Sequence, residues 1–120
     1  MTLIVLHHVQ LAMPAGEEDK ARAFYTGLLL LDEVKKPQAL AGRGGCWFES
    51  TTVRIHLGVE ASFIPARKAH PAFQVEALDD WANRLTVGGA PVSHDGDLPG
   101  YRRFYTADPF GNRIEMLEPL

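Results

Sequence analysis

Four side chains spread along the sequence have the chemistry of transition-metal ligands: His8, His56, His70 and Glu115. Imidazole nitrogen and carboxylate oxygen, with no thiolate among them, suit zinc, nickel, cobalt, manganese or iron(II) rather than a sulfur-rich structural zinc site. His8, His70 and Glu115 alone would form the two-histidine, one-carboxylate face that leaves positions open for substrate or oxygen. Spacing adds a second argument. The stretch from His8 to His56 is nearly as long as that from His70 to Glu115, so each half of the chain offers one early and one late ligand. Strand alternation supports the grouping. Arg54, His56 and Glu60 share a face opposite Ile55, Leu57 and Val59, and Arg113 and Glu115 lie opposite Ile114 and Met116. His8 falls in phase with Gln10, and His70 with Gln74 and Glu76. Two modules related by a pseudo-twofold axis would bring all four to one cation. A lone strand histidine is ordinarily a surface or hydrogen-bonded residue, and it is the shared phase that points to a metal.

The elements that must position these residues follow a repeated order. Leu3 to Met13, rich in branched residues and closed by Pro14, reads as a strand. Glu17, Glu18 and Asp19 mark a helix start, and Ala21, Phe24, Tyr25 and Leu28 fall on one apolar helical face. That helix is expected to end near Leu29–Leu31, with no glycine to cap it. Strands are expected at Asp32–Lys36, Cys46–Ser50 and Val53–Val59, with a loop from Ala39 to Gly45. A linker from Glu60 to Ala69 carries Pro65, Arg67 and Lys68. The order then begins again. A strand at His70–Glu76 precedes a helix on Leu78, Trp81, Ala82 and Leu85, ended by Gly88-Gly89. A weak strand at Pro91–His94 is followed by strands at Tyr101–Thr106 and Asn112–Glu118, joined by the turn Asp108-Pro109-Phe110-Gly111. The chain therefore reads β-α-β-β-β twice. That is an α+β fold of one domain over residues 1–120, with modules of about 1–60 and 66–120.

Composition bounds the function. At 120 residues, 46% hydrophobic and 22% charged, the chain has an ordinary globular balance and length for one core. Twelve Lys+Arg against 15 Asp+Glu give a net charge of -3, without the basic footprint that nucleic-acid binding requires. Met1–Leu6 is a short apolar run lacking both a cationic lead and the roughly 20 apolar residues of a membrane span. The expectation is a soluble, cytoplasmic protein with neither membrane nor nucleic acid as partner. The single thiol, Cys46, cannot form an internal disulfide and reads as a small buried hydrophobe rather than a nucleophile.

Several pieces of the sequence resemble the vicinal-oxygen-chelate superfamily, which includes glyoxalase I, bleomycin-resistance proteins, fosfomycin-resistance enzymes, methylmalonyl-CoA epimerase and extradiol dioxygenases. They are Leu6-His7-His8-Val9-Gln10-Leu11, Ala23-Phe24-Tyr25 with Leu28, Ile55-His56-Leu57, His70-Pro71-Ala72-Phe73-Gln74-Val75 and, most specific, Asp108-Pro109-Phe110-Gly111-Asn112-Arg113-Ile114-Glu115. The resemblance implies paired βαβββ modules forming a half-barrel of mixed sheet around a divalent metal. It also implies a homodimer, often with modules from two chains completing each site. His8, His70 and Glu115 match recurrent ligand positions on the first, fifth and eighth strands. His56 stands where glyoxalase I-like members carry a glutamate and many others carry no ligand. It permits a three-histidine, one-glutamate set but weakens a plain glyoxalase I assignment. Bleomycin-binding members generally lack the metal set, so its retention argues against a purely sequestering role.

In such a site two neighbouring substrate oxygens chelate the metal, and Glu115 or His56 would be the group that moves a proton. Substrate contacts are expected from Tyr101, Arg103 and Tyr105, which share a strand face, with Arg103 suited to an anionic group. Arg102 would point the other way. Trp47 would wall the pocket or join the core, and Arg54 would line the cavity beside His56 or pair with Glu115 or Glu60. His7 is expected on the apolar side and His94 in an exposed loop. The expected function is a metal-dependent glyoxalase-like enzyme acting on a small substrate with adjacent oxygens, whether as lyase, isomerase, thiol transferase or dioxygenase. The alternative is a drug- or metabolite-binding resistance module without turnover.

Overall fold

Alternating apolar and polar residues build four strands in each half of the chain. The computed structural model describes all 120 residues, which form two units, Met1–Phe63 and Ile64–Leu120. In the first unit β1 (Val9–Met13) leads to α1 (Glu18–Arg22), which runs directly into a π-helical turn at Ala23–Leu28. Then come β2 (Asp32–Val34), a 3₁₀ helix at Gln38–Arg43, β3 (Cys46–Glu49) and β4 (Arg54–Val59). The sheet order is β1-β4-β3-β2, with β1 parallel to β4 and the remaining pairs antiparallel. Ala21, Phe24 and Tyr25 recur at helical spacing and are buried with Met13, Phe48, Ile55 and Leu57. Tyr25 stacks on Phe48 with ring centroids 5.3 Å apart. In the wider π turn the amide of Leu29 reaches back to the carbonyl of Phe24 at 2.9 Å. The chain then leaves the helix through Leu30 at φ 62°, a conformation that glycine usually supplies.

The second unit repeats the plan. β5 (Ala72–Gln74) is followed by α2 (Leu78–Val87), β6 (Ser93–His94), β7 (Tyr101–Ala107) and β8 (Arg113–Pro119), in sheet order β5-β8-β7-β6. Leu78, Ala82 and Leu85 of α2 are buried with Phe104, Ile114 and Met116. The N-terminus of α2 has no cap from its own flanking residue. Glu118 of β8 serves instead, its carboxylate accepting from the amides of Ala77 (3.0 Å) and Leu78 (3.4 Å). The other end closes through Gly89 at φ 85°, with the amide of Ala90 bonded to the carbonyl of Leu85. Between β7 and β8 the buried Asp108 carboxylate accepts from the amides of Phe110 and Asn112 and from the Asn112 side chain, at 2.8–2.9 Å. These bonds fix the turn that delivers β8.

The α+β class and the doubled β-α-β-β-β order expected from the sequence are what the chain adopts, in two open, mixed four-stranded sheets. Strand starts differ. β1 begins at Val9 rather than Leu3, because its parallel partner β4 begins at Arg54 and residues before Val9 have no strand to pair with. Leu3, Ile4, Val5 and Leu6 are left 76–99% exposed. β5 begins after Pro71, which has no amide to give to a ladder. His8 and His70 thus sit immediately before their strands rather than within them. No helix is long and apolar enough to cross a membrane.

Candidate functional site

Glu115 lies in the middle of β8, opposite Ala72 of β5 and Tyr105 of β7, and is buried. His70 reaches it from the segment before β5, placing Nε2 3.0 Å from Glu115 Oε1. The other ring nitrogen, Nδ1, lies 2.8 Å from the Lys68 carbonyl oxygen. A carbonyl only accepts, so the Nδ1 proton belongs to that bond. In the neutral ring Nε2 then presents a lone pair to a carboxylate oxygen. Two such donors of electron pairs at 3.0 Å require a positive centre, a proton or a metal ion, in common. Arg103 supplies a third contact, with Nη1 donating to Glu115 Oε1 at 3.3 Å.

The other substrate-face residues of this unit are placed unevenly. Tyr105 meets the edge of the His70 ring at 5.3 Å and lies under the guanidinium groups of Arg103 (5.2 Å) and Arg113 (3.9 Å). Arg103, expected to hold a substrate anion, already faces two carboxylates, Glu115 and Asp95, the latter at 3.5 Å. Tyr101 lies at the far end of β7, opposite Pro119, and is exposed. Arg102 points the other way, as expected, to Asp79 and Glu118. His94 is exposed on β6, its ring 5.8 Å from Phe104.

In the first unit His56 is buried in β4 with Gln10 and Trp47 as its register partners. Its ring is sandwiched. Trp47 stacks on one side at 3.7 Å and 2°, and His8 lies at 4.2 Å and 19°. Burial, and after it the neighbouring His8, lowers the His56 pKa below its ordinary value, so the ring stays neutral and able to ligate at neutral pH. His8 in turn has Nδ1 3.0 Å from Nδ1 of His7, and Arg54 donates to the His7 carbonyl at 3.3 Å. His7 was expected on the apolar side. It is instead exposed, because strand pairing has not yet begun there, and it orients His8. The expected ligands therefore come together as two pairs, His8 with His56 and His70 with Glu115. Within neither unit do three or more His, Cys, Asp or Glu side chains gather as a metal-holding group. The donor types and the His70–Glu115 contact fit a divalent cation, with each unit offering two donors. The Lys68 carbonyl and the His7 ring, which aim two of the four, carry no sequence signal beyond adjacency.

Residues 5–116 match the Glyoxalase/Bleomycin resistance protein/Dioxygenase superfamily. A solved glyoxalase family protein from Bacillus anthracis is 45% identical, with a TM-score of 0.92 over 100% of both chains. Lactoylglutathione lyase from Agrobacterium tumefaciens is 26% identical, with a TM-score of 0.66 over 91% of this chain and 90% of that one. The genomically encoded fosfomycin resistance protein FosX from Listeria monocytogenes shares the fold at 19% identity, with a TM-score of 0.80 over 99% and 96% of the two chains. Among curated proteins, no sequence matches the chain.

Proposed function

Because this chain belongs to the Glyoxalase/Bleomycin resistance protein/Dioxygenase superfamily, we propose that it is a metal-dependent enzyme acting on a small substrate with two adjacent oxygens. His8, His56, His70 and Glu115 are the residues that would hold the divalent metal. The observation that supports this reading is the His70–Glu115 contact, two groups of metal-ligand chemistry 3.0 Å apart that share either a proton or a metal ion. When bound, such an ion supplies Lewis acidity toward the substrate oxygens. The chain's own residues do the rest. The Lys68 carbonyl holds His70 in the tautomer whose Nε2 is free to ligate. Arg103 gives the buried Glu115 a cationic partner, while Tyr105 closes the space beside His70. Glu115, through a carboxylate oxygen, would take up and return the substrate proton, a role for which the lowered pKa of His56 makes that ring the weaker candidate. Trp47 and Arg54 line the first unit's part of the substrate surface, and Tyr101 the outer end of the second's. Lyase, isomerase, thiol-transferase and dioxygenase reactions would all draw on that Lewis acidity. The protein works as a homodimer whose sites draw on both copies, a reading supported by the exposed apolar run directly before His7 and His8.

Elemental analysis of the protein, purified without a histidine tag and dialysed, tests the assignment. Close to one transition metal per chain is expected, falling at least about tenfold in His70→Ala and Glu115→Ala. Metal content unchanged in both variants would overturn the ligand set. Small-molecule binding that survives complete metal removal, with no turnover in any metal form, would instead identify a sequestering module.

A further inference from the structure

The face of the first sheet that carries His56 continues past Trp47 into a pocket of about 250 Å³. Its walls include the apolar surfaces of Leu40 and Trp47 and the polar side chains of Gln10, Lys36 and Arg43, with no acidic residue among them. The loop that forms one wall is held in place by backbone geometry. Gly44 and Gly45 adopt φ 74° and 79°, and a Cβ at Gly45 would collide with the Leu57 carbonyl of β4. Lys36 Nζ donates to the Gly44 carbonyl, which fixes the half-buried ammonium at the pocket wall. Gly58, lacking a side chain, leaves room for the Gln10 amide to lie across β4 beside them. Arg43 has no carboxylate partner. Two cations and an amide donor thus converge beside an aromatic face, with no anion of the protein to meet them.

We propose that this pocket binds an oxyanion group of the substrate, a carboxylate or a phosphate. Arg43 and Lys36 supply the charge, Gln10 a hydrogen bond, and Trp47 and Leu40 cover the apolar portion to which the group is attached. The assignment rests on the reading above that the His56 face is the substrate face, and it narrows the substrate to an amphipathic anion. Burial against Trp47 gives such a ligand its apolar contribution, and the cations supply selectivity over neutral compounds.

The test uses metal-free protein, so that its result is separate from metal uptake. Phenyl phosphate, benzoate and phenol are each titrated into the ¹⁵N-labelled chain. The Trp47 indole and the Gly44 and Gly45 amides are expected to shift with an oxyanion and not with phenol. The tighter of phenyl phosphate and benzoate names the group. Arg43→Glu is expected to weaken binding at least about tenfold, whereas Lys35→Glu, an exposed charge change in the same unit, leaves it within about twofold. Equal response to phenol, silence at Trp47, or unchanged affinity in Arg43→Glu would overturn the proposal. If metal uptake fails while oxyanion binding persists, the metal reading alone is lost.

Discussion

Cys46 shows how burial decides what a reactive group does. Its side chain is 2% exposed in β3, and burial, with the Glu33 charge second, pushes the thiol up to about 11 from 9.0. At neutral pH the thiolate is then scarcer by roughly two powers of ten than in an ordinary cysteine. Alkylation by iodoacetamide at pH 8, followed by mass spectrometry, is expected to be at least about a hundredfold slower in the native chain than in urea. Rates within a few-fold would show an accessible, ionised thiol. The linkage has a sign. The folded state favours the protonated form, so this contribution to stability is complete below pH 9 and declines as pH rises toward 11. The burial of Cys46 is legible in the sequence, and so are the residue types of the four candidate ligands. Their neighbours are not. Trp47 meets His56 only through the β3–β4 register, and the Asp95 contact to Arg103 comes from a loop whose course no periodicity records. Arg103 reads as a free cation until that contact and the one to Glu115 are seen.

At the level of elements, periodic patterns are legible in the sequence and irregular ones are not. The face made by Ala21, Phe24 and Tyr25 identified the first helix, but nothing in its spacing separates an α turn from the π turn at Ala23–Leu28. With no glycine at its end, the helix exits through the left-handed Leu30, a conformation side-chain chemistry does not announce. Apolar character at Leu3–Leu6 resembled a strand because hydrophobicity reports a tendency to be covered, not the presence of a partner strand. The segment from Ala39 to Gly45, expected as a loop, is largely taken up by the 3₁₀ helix Gln38–Arg43, which carries Arg43 and is followed by the Gly44 carbonyl that Lys36 meets. Its fixed point is Gly45. Adding a methyl group there combines an unfavourable φ of 79° with a collision against β4 backbone. Gly45→Ala is expected to lower unfolding free energy by roughly 2–4 kcal/mol, seen as a reduced urea midpoint at an unchanged slope. Gly42→Ala, where a Cβ meets nothing within 4 Å, should shift it by less than about 0.5 kcal/mol. Equal effects in the two variants would remove Gly45 as the anchor of this wall.

For the whole molecule, the most informative surface is the run Leu3-Ile4-Val5-Leu6, 76–99% exposed and adjoining the exposed His7 and His8. Covering each of these side chains is worth about 1.5–3 kcal/mol, a gain that a second copy burying the run would set against the cost of association. It would also bring His8 to the boundary between copies. The two candidate ligand pairs lie in different units of the chain, one at β1 and β4 and the other at β5 and β8. Sites assembled from the first unit of one copy and the second unit of its partner would make a prediction that sites within one chain do not. His8→Ala and Glu115→Ala, carried on separately tagged chains, each form homodimers lacking an intact ligand set. In the mixed dimer, one site receives both lesions and the other receives neither. Double-affinity purification followed by elemental analysis should therefore recover close to one metal ion per mixed dimer, against about two for the unaltered dimer. A mixed dimer without metal would place each site within a single chain. Sedimentation as one chain at micromolar concentration would remove the partner altogether.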